Sequence, residues 1–323
     1  VKSLIVYNPA PMNLLAMTAI TDMCKGLKRI GVPFTRKDIG VYEPSELAVV
    51  VGWLKKILNV KGGRAEIINE QRNNGRDLLI LERAWLKDRD GYHALTWNGF
   101  GGHGQRLSEN CPSDRWEKLE LEFEPWRTEG KHILLCAQVP WDAQVDGSKK
   151  DPLAEGVPIG DHVGWISKTI RRIRERTDRP IVLRFHPKVV RMGIRKHFPI
   201  DKLKDMVDRI SEPKSTRATQ LSKHDHQQIR SSLHKDLKNC WAMVAYNSNS
   251  GVDAVLKGIP VFLSEKCGRS YPLANKDLDD INDPVMPDRR QWAQNLAYDQ
   301  WNNAELTSGE AWCHIARGTK WMP

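Results

Sequence analysis

Residues 242–263 restrict this chain to a narrow set of folds. Ala242–Tyr246 is an apolar run of the length of one buried strand, and Asn247-Ser248-Asn249-Ser250-Gly251 follows as a turn of small polar residues. A short helical segment then closes at Gly258, and Val261–Leu263 begins a second apolar run. The order predicts a strand–loop–helix–strand unit with its small polar residues at the helix start. Backbone N–H groups there lack intrahelical partners and face the positive end of the helix dipole, so the loop suits an anion such as phosphate. Ser250 is placed to cap the helix, and Gly251 to let a ligand approach the backbone.

The rest of the chain repeats this alternation. Ser3–Tyr7, Asp77–Leu81, Tyr92–Trp97, His132–Ala137 and Ile181–Phe185 read as strands. Leu14–Ile30, ended by Gly31, reads as an amphipathic helix and Val163–Arg176 as a basic one; Val49–Leu58, Leu203–Ile210 and Arg290–Trp301 also read as helical, and Ser211–His226 as an exposed loop. Gly309 leaves Glu305–Ile315 open. Strands alternating with helices imply an α/β layer fold with a largely parallel sheet. At 323 residues two domains are expected. The Pro- and Gly-containing stretch Glu124–Lys131 marks the link, dividing residues 1–127 from 128–323, with the final helices packing back on the first domain.

Composition narrows the partners. A net charge of +10 favours anionic ones: nucleic acid, nucleotides or a membrane surface, with a merely solvated basic surface as the alternative. The six cysteines are scattered without CxxC pairs or matching histidines, which argues against zinc knuckles and disulfide scaffolds and fits a reducing cytoplasm. No apolar run reaches membrane-spanning length and Val1–Val6 does not open a signal peptide, so no membrane role is expected. The twelve tryptophans suit core packing, or stacking on a base or sugar.

In an open parallel sheet, ligands bind beyond the carboxyl ends of the strands. Three strands of the second half end in polar chemistry: Gln138 after the first, Arg184 with His186-Pro187-Lys188 at the second, and Asn247-Ser248-Asn249-Ser250 after the third. An amide, cations and a helix start along one edge suit a nucleotide diphosphate, with Arg184 bidentate and Lys188 a point charge. Each feature alone is ordinarily structural. No P-loop or nucleophile elbow is present, and the glycines of Gly99–Gly104 are misplaced for a dinucleotide fingerprint. That segment reads as a sterically open loop facing an interdomain cleft, or simply as a flexible turn.

Taken together, Leu81-Glu82-Arg83, Asp88-Arg89, Trp97-Asn98-Gly99, Ala137-Gln138-Val139-Pro140, Arg184-Phe185-His186-Pro187, Tyr246–Asp253, Gln300-Trp301 and Gly309-Glu310-Ala311-Trp312 resemble bacteriophage-encoded glycosyltransferases of the GT-B fold. The resemblance runs from about Asp77 to His314 and is most specific over Tyr246–Val261. It implies two Rossmann-like domains facing a central cleft, with the nucleotide sugar on the C-terminal one. Sugar transfer to 5-hydroxymethylpyrimidines in double-stranded phage DNA, in the host cytoplasm, is the expected activity. The donor, a UDP-sugar by expectation, is then a co-substrate, with neither a permanent cofactor nor a metal.

The resemblance further implies that Gln138, Arg184, His186, Lys188, Asn247, Ser248, Asn249 and Ser250 contact the donor diphosphate. Gly251 lies in the same loop, and Asp253 binds ribose or sugar hydroxyls, or merely favours the helix dipole. Arg83, Arg89, Asn98 and Gly99 fall on the acceptor side. An inverting reaction needs a base; Asp88 is placed first, with Glu82 and His103 behind it, against the alternative that Asp88–Arg89 and Glu82–Arg83 are ion pairs fixing a loop. A retaining reaction needs none. Lys168, Arg171, Arg172, Arg174 and Arg176 form either a DNA-backbone stripe or a solvated helix face. A surface-polysaccharide or other glycan transferase, and a non-catalytic DNA-binding protein, are the alternative functions.

Overall fold

The computed structural model describes residues 3–10, 14–52, 62–86, 91–105, 108–139, 145, 150–191, 200–213 and 223–323. The chain divides into two compact units, Val1–Leu121 with Arg290–Pro323, and Glu122–Arg289. Each has its own sheet and its own apolar core. No described helix is long and apolar enough to cross a membrane.

In the first unit, β1 (Leu4–Asn8), β2 (Thr35–Asp38), β3 (Leu47–Val51), β4 (Asp77–Arg83) and β5 (Tyr92–Trp97) form a sheet in the order β2-β1-β3-β4-β5. The first four are parallel and β5 is antiparallel to β4. The charged, exposed β2 makes an edge that resists pairing with another chain. Helix α1 (Leu14–Arg29) presents Ala16, Ala19, Ile20, Met23 and Leu27 to the core at helical spacing, and α2 (Gly63–Asn73) connects β3 to β4. Val49–Val51, expected to begin a helix, belongs to β3 instead; a short apolar run carries no period that separates the two states. The remainder of that expected helix, residues 53–58, lies outside the described residues.

The C-terminal segment completes this unit. Helix α9 (Arg290–Tyr298) stops short of the expected Trp301, because Gln300–Asn302 forms strand β13, antiparallel to β5. The pull is tertiary: buried Gln300 accepts hydrogen bonds from the N–H groups of Trp85 and Leu86 at 3.3 and 3.1 Å. Glycine at position 309, at φ 87°, then separates α10 (Asn303–Ser308) from α11 (Glu310–Ile315). Helices α1 and α10 cross where Gly26 has no side chain, since a Cβ there would lie 2.0 Å from the Leu306 carbonyl oxygen.

One buried ion pair ties the returning segment to α3 (Asp114–Lys118). Arg115 Nη1 and Nη2 donate to Glu305 Oε1 and Oε2, both at 3.0 Å, and Nη2 also reaches the Gln300 carbonyl at 2.8 Å. The guanidinium lies 3.9 Å above the Trp301 ring. Glu305 also closes a capping box with Asn302.

The second unit holds β6 (His132–Cys136), the β7 (Lys150–Asp151) and β8 (Val157–Pro158) hairpin, β9 (Ile181–Arg184), β10 (Arg209–Ser211), β11 (Cys240–Ala245) and β12 (Val261–Leu263). The main sheet runs β10-β9-β6-β11-β12, parallel throughout. Its central strands are apolar on both faces, as helix layers on both sides require. The helices are α4 (His162–Arg174), α5 (Pro187–Arg191), α6 (Ile200–Lys204), α7 (Lys223–Leu237) and α8 (Ser250–Leu256).

Two expectations fail here. Leu203–Ile210 is not one helix: α6 ends at Lys204 and β10 takes Arg209 and Ile210, where Asp208 Oδ2 accepts from the Ile181 N–H at 2.7 Å and Ile210 pairs with Leu183. Residues 223–226 of the expected loop begin α7, and 214–222 lie outside the described residues.

The stretch Glu124–Lys131 is laced to the second unit, through the N–H groups of Glu124, Arg127 and Lys131 to the carbonyls of Leu256, Gly258 and Asn239. Gly258 is obligatory there: its φ is +66°, and a Cβ would lie 1.9 Å from the Pro125 carbonyl oxygen.

Two outcomes follow for stability and reactivity. Burial raises the Glu305 pKa, but hydrogen bonds from Arg115 and from the Asn302 N–H outweigh it and hold the carboxyl below its ordinary value. Its contribution is therefore present above the unfolded value of about 4.3 and lost as pH falls through the lower folded value. Glu305→Gln should cost about 3 kcal/mol in urea titration at pH 7, and less at acid pH. Burial likewise pushes the thiols of Cys136 and Cys240 up to about 11 and about 12. Thiol-reagent kinetics at pH 8 should show both unmodified until the protein unfolds.

Candidate functional site

Counted along the second unit, its sheet has the order 3-2-1-4-5, so the connections reverse direction between β6 and β11. At such a reversal point open α/β sheets bind ligands, in the crevice beyond the strand ends. Cys136 pairs with Ala245, which brings the residues two positions on, Gln138 and Asn247, side by side beyond the strand ends. Gln138 Nε2 donates to Asn247 Oδ1, and Asn247 Nδ2 donates to Cys267 Sγ at 3.1 Å. Both amides are about nine-tenths buried, each at 8% exposure.

The half-buried loop Ser248–Ser250 rims this crevice. The Ser248 and Ser250 hydroxyls are 2.6 Å apart. Ser248 does the capping expected of Ser250: its hydroxyl accepts from the Ser250 N–H at 3.3 Å and its carbonyl from the Gly251 N–H at 3.1 Å. The Val252 N–H reaches the Asn249 carbonyl at 3.0 Å. The helix-start amides expected to be unpartnered are thus satisfied within the loop from Ser250 to Val252. Hydroxyls and the Asn249 side chain are left as the loop's polar surface.

Gly251 does not open a path for a ligand. A Cβ there would lie 2.2 Å from the Oγ of fully buried Ser270, so the glycine admits close packing of the segment after β12. That segment supplies residues the sequence reading missed. Glu265 is fully buried, with Oε2 3.3 Å from the Tyr246 hydroxyl, and Cys267 supports Asn247. Burial and then the Glu265 charge raise the Tyr246 pKa, keeping the phenol protonated. The signal of these residues in the sequence is that they follow a strand's carboxyl end.

Arg184 requires correction as a phosphate ligand. Its guanidinium is 5% exposed and turned into the core: Nη1 pairs with Asp236 Oδ2 at 2.6 Å, and Nη2 donates to Ser232 Oγ at 2.9 Å and the Ile229 carbonyl at 3.4 Å. Arg209 adds a second pair to Asp236 at 2.8 Å. The polar groups left at the β9 end are instead His186, just before α5, and Lys188, in its first turn. Exposed His186 accepts the Lys188 N–H on Nδ1 at 3.1 Å, which places its proton on Nε2, and Pro187 opens the helix at a position suited to proline. Lys188 is half-buried.

Asp253 faces α7, not solvent. It is 3% exposed, and its Oδ1 lies 3.5 Å from Arg230 Nη2 and 4.0 Å from His234 Nε2. Those two residues were also missed, although their spacing of four along a helix is a legible signal.

In the first unit, half-buried Glu82 and exposed Arg83 end β4, and half-buried His103 closes the short turn Gly101–His103. Asn98 requires correction as an acceptor-binding group. It sits at φ 53°, takes the Leu78 N–H on Oδ1 at 2.6 Å and donates to Gln105 Oε1 at 2.8 Å and Asp77 Oδ1 at 3.3 Å, so its amide ties strand ends together. Gly99 serves the same turn: a Cβ would lie 2.2 Å from the His103 carbonyl oxygen. Asp88 and Arg89 lie outside the described residues.

The basic stripe of α4 is largely neutralised. Lys168 pairs with Glu155 at 2.9 Å, Arg172 with Asp277 and Asp279 at 3.0 and 2.8 Å, Arg174 with Asp208, and Arg176 with Asp279 at 2.9 Å. The face is that of an ion-paired surface helix.

No protein-family model and no curated protein matches the chain. Among solved structures, the β-Kdo 2,4 transferase of Thermosulfurimonas dismutans KpsC is similar, at TM-score 0.50 and 12% identity over 92% of this chain and 91% of that one. The β-Kdo 2,7 transferase of the same KpsC aligns at TM-score 0.49 and 13% identity over 96% of this chain and 98% of that one. At such identity the likeness to the 2,4 transferase is one of fold. It agrees with the mixed α/β, parallel-sheet, GT-B class expected from the sequence.

Proposed function

We propose that the chain is a glycosyltransferase that moves a sugar from a nucleotide-sugar donor to a hydroxyl of a glycan. The observation that carries the reading is the meeting of Gln138, Asn247 and the Ser248–Ser250 loop at the point where the parallel sheet reverses its strand order. A shared fold with a Kdo transferase supports sugar transfer by analogy. The ion pairs of Lys168, Arg172, Arg174 and Arg176 weaken the case for this helix as a DNA-backbone stripe.

In such a transfer the acceptor oxygen attacks the anomeric carbon, and the bond to the phosphate oxygen breaks with its electron pair staying on the nucleotide. The Ser248 and Ser250 hydroxyls, the Asn249 amide, the His186 Nε2–H and the Lys188 ammonium are the groups proposed to stabilise that developing charge. Asp253, held by Arg230 and His234, sets the first turn of α8 against α7. If the reaction inverts, the acceptor hydroxyl's proton passes to a carboxylate or imidazole base.

The test pairs labelled nucleotide sugars with oligosaccharide acceptors, and in parallel with DNA containing 5-hydroxymethylcytosine. Sugar incorporated into the glycan is expected; incorporation into DNA alone, or no donor binding at all, overturns the proposal. Variants separate site from scaffold. Lys188→Ala and Ser248→Ala should each weaken nucleotide-sugar binding about 10-fold with an unchanged Tm, a loss on the scale of one charge-assisted hydrogen bond. Arg184→Ala should instead destabilise the protein by about 3–5 kcal/mol in urea titration, because it leaves Asp236 buried with one partner fewer.

A further inference from the structure

We propose that Gln138 reads a ring hydroxyl of the donor as a hydrogen-bond acceptor, and does not contact the phosphates. The inference rests on the reading of the crevice as a nucleotide-sugar site and specifies what one wall of it recognises. A side-chain amide has one accepting and one donating end, and fixing either end fixes the other. The donating end of Gln138 is committed to Asn247 Oδ1. Asn247 in turn directs its Nδ2 to the Cys267 sulfur at 3.1 Å, a weak acceptor that completes the relay. The chain of bonds therefore runs one way, from Gln138 through Asn247 to Cys267.

The consequence lies at the other end of Gln138. Its Oε1 points away from the relay, and no described residue donates to it. The side chain keeps 8% exposure, at the mouth of the reversal point. Ionised phosphate oxygens offer no proton, so a carbonyl oxygen aimed at them is repelled. Hydroxyls of a ribose or a hexose do offer one. A nucleotide sugar has such a ring on either side of its phosphates, so a residue beside the phosphate-binding loop meets a ring hydroxyl whichever way the donor lies. Burial strengthens the selection, because a ligand lacking the hydroxyl leaves the carbonyl desolvated and unpaired.

The experiment is a calorimetric comparison of wild type and Gln138→Leu. The ligands are the tightest-bound member of a panel of UDP-, GDP-, dTDP- and CMP-sugars, its parent nucleotide, and inorganic pyrophosphate. Gln138→Leu should weaken the nucleotide sugar about 10-fold, the scale of one lost hydrogen bond, and leave pyrophosphate within about 2-fold of wild type. An equal loss for the parent nucleotide assigns the hydroxyl to the ribose; a loss confined to the nucleotide sugar assigns it to the transferred sugar. Equal weakening of pyrophosphate and nucleotide sugar overturns the inference, as does no weakening of any ligand. Wild type that binds no member of the panel removes the reading of the site itself. Gln138→Met, of similar length and without the carbonyl, takes the place of Gln138→Leu if that variant does not fold.

Discussion

A parallel sheet with right-handed crossovers can cover both of its faces only if the chain, at some strand, begins to wind in the opposite direction. In the second unit that happens between β6 and β11, and everything proposed about function hangs on the crevice it opens. The apolar character of both strands is what permits the arrangement. With every residue of β11 buried, the first place a polar side chain can stand is past the strand end. Gln138 and Asn247 occupy those first places, and the register between β6 and β11 makes them neighbours. The chemistry of the site is thus a consequence of sheet order and register, with the side chains filling positions that topology created.

The distribution of charge is the second theme. A net charge of +10 invites a search for an anionic partner, yet many of the arginines are occupied within the fold. Arg184 is paired with Asp236, Arg115 with Glu305, and Arg172, Arg174 and Arg176 with Asp208, Asp277 and Asp279. The two buried pairs, Arg184–Asp236 and Arg115–Glu305, contribute little net stability against an apolar alternative, but removing one partner is costly, so they fix register and packing. A charge count therefore says less about a partner than the position of individual groups at strand ends, such as the Lys188 ammonium and the His186 Nε2–H.

Much of the frame was legible because local pattern and tertiary structure agree. The strand–loop–helix–strand unit around Tyr246–Leu263, the strands at Leu4, Asp77, Tyr92, His132 and Ile181, and the helices at Leu14 and His162 all follow from apolar period and Gly or Pro punctuation. What was not legible depends on partners far away in sequence. Arg184 looks like a phosphate ligand until Asp236, 52 residues on, is seen to hold it. Gln300–Asn302 has a helical pattern but is captured as a strand by β5 and by the Trp85 and Leu86 N–H groups. Asn98 has the appearance of a loop amide available to a ligand, while its three bonds tie β4, β5 and their turn. Glu265 and Cys267 carry no local motif, and their burial beyond the end of β12 is what places them.

Hydrogen–deuterium exchange of the full chain, with and without the nucleotide sugar it binds best, tests the central claim most directly, because it locates the ligand without presuming which residues hold it. Binding at the reversal point should slow exchange in peptides spanning 136–139 and 246–252, with 263–270 following, while the β1–β2 edge of the first unit is unaffected. Binding detected calorimetrically with protection confined to peptides elsewhere, and none at 136–139 or 246–252, would contradict the account.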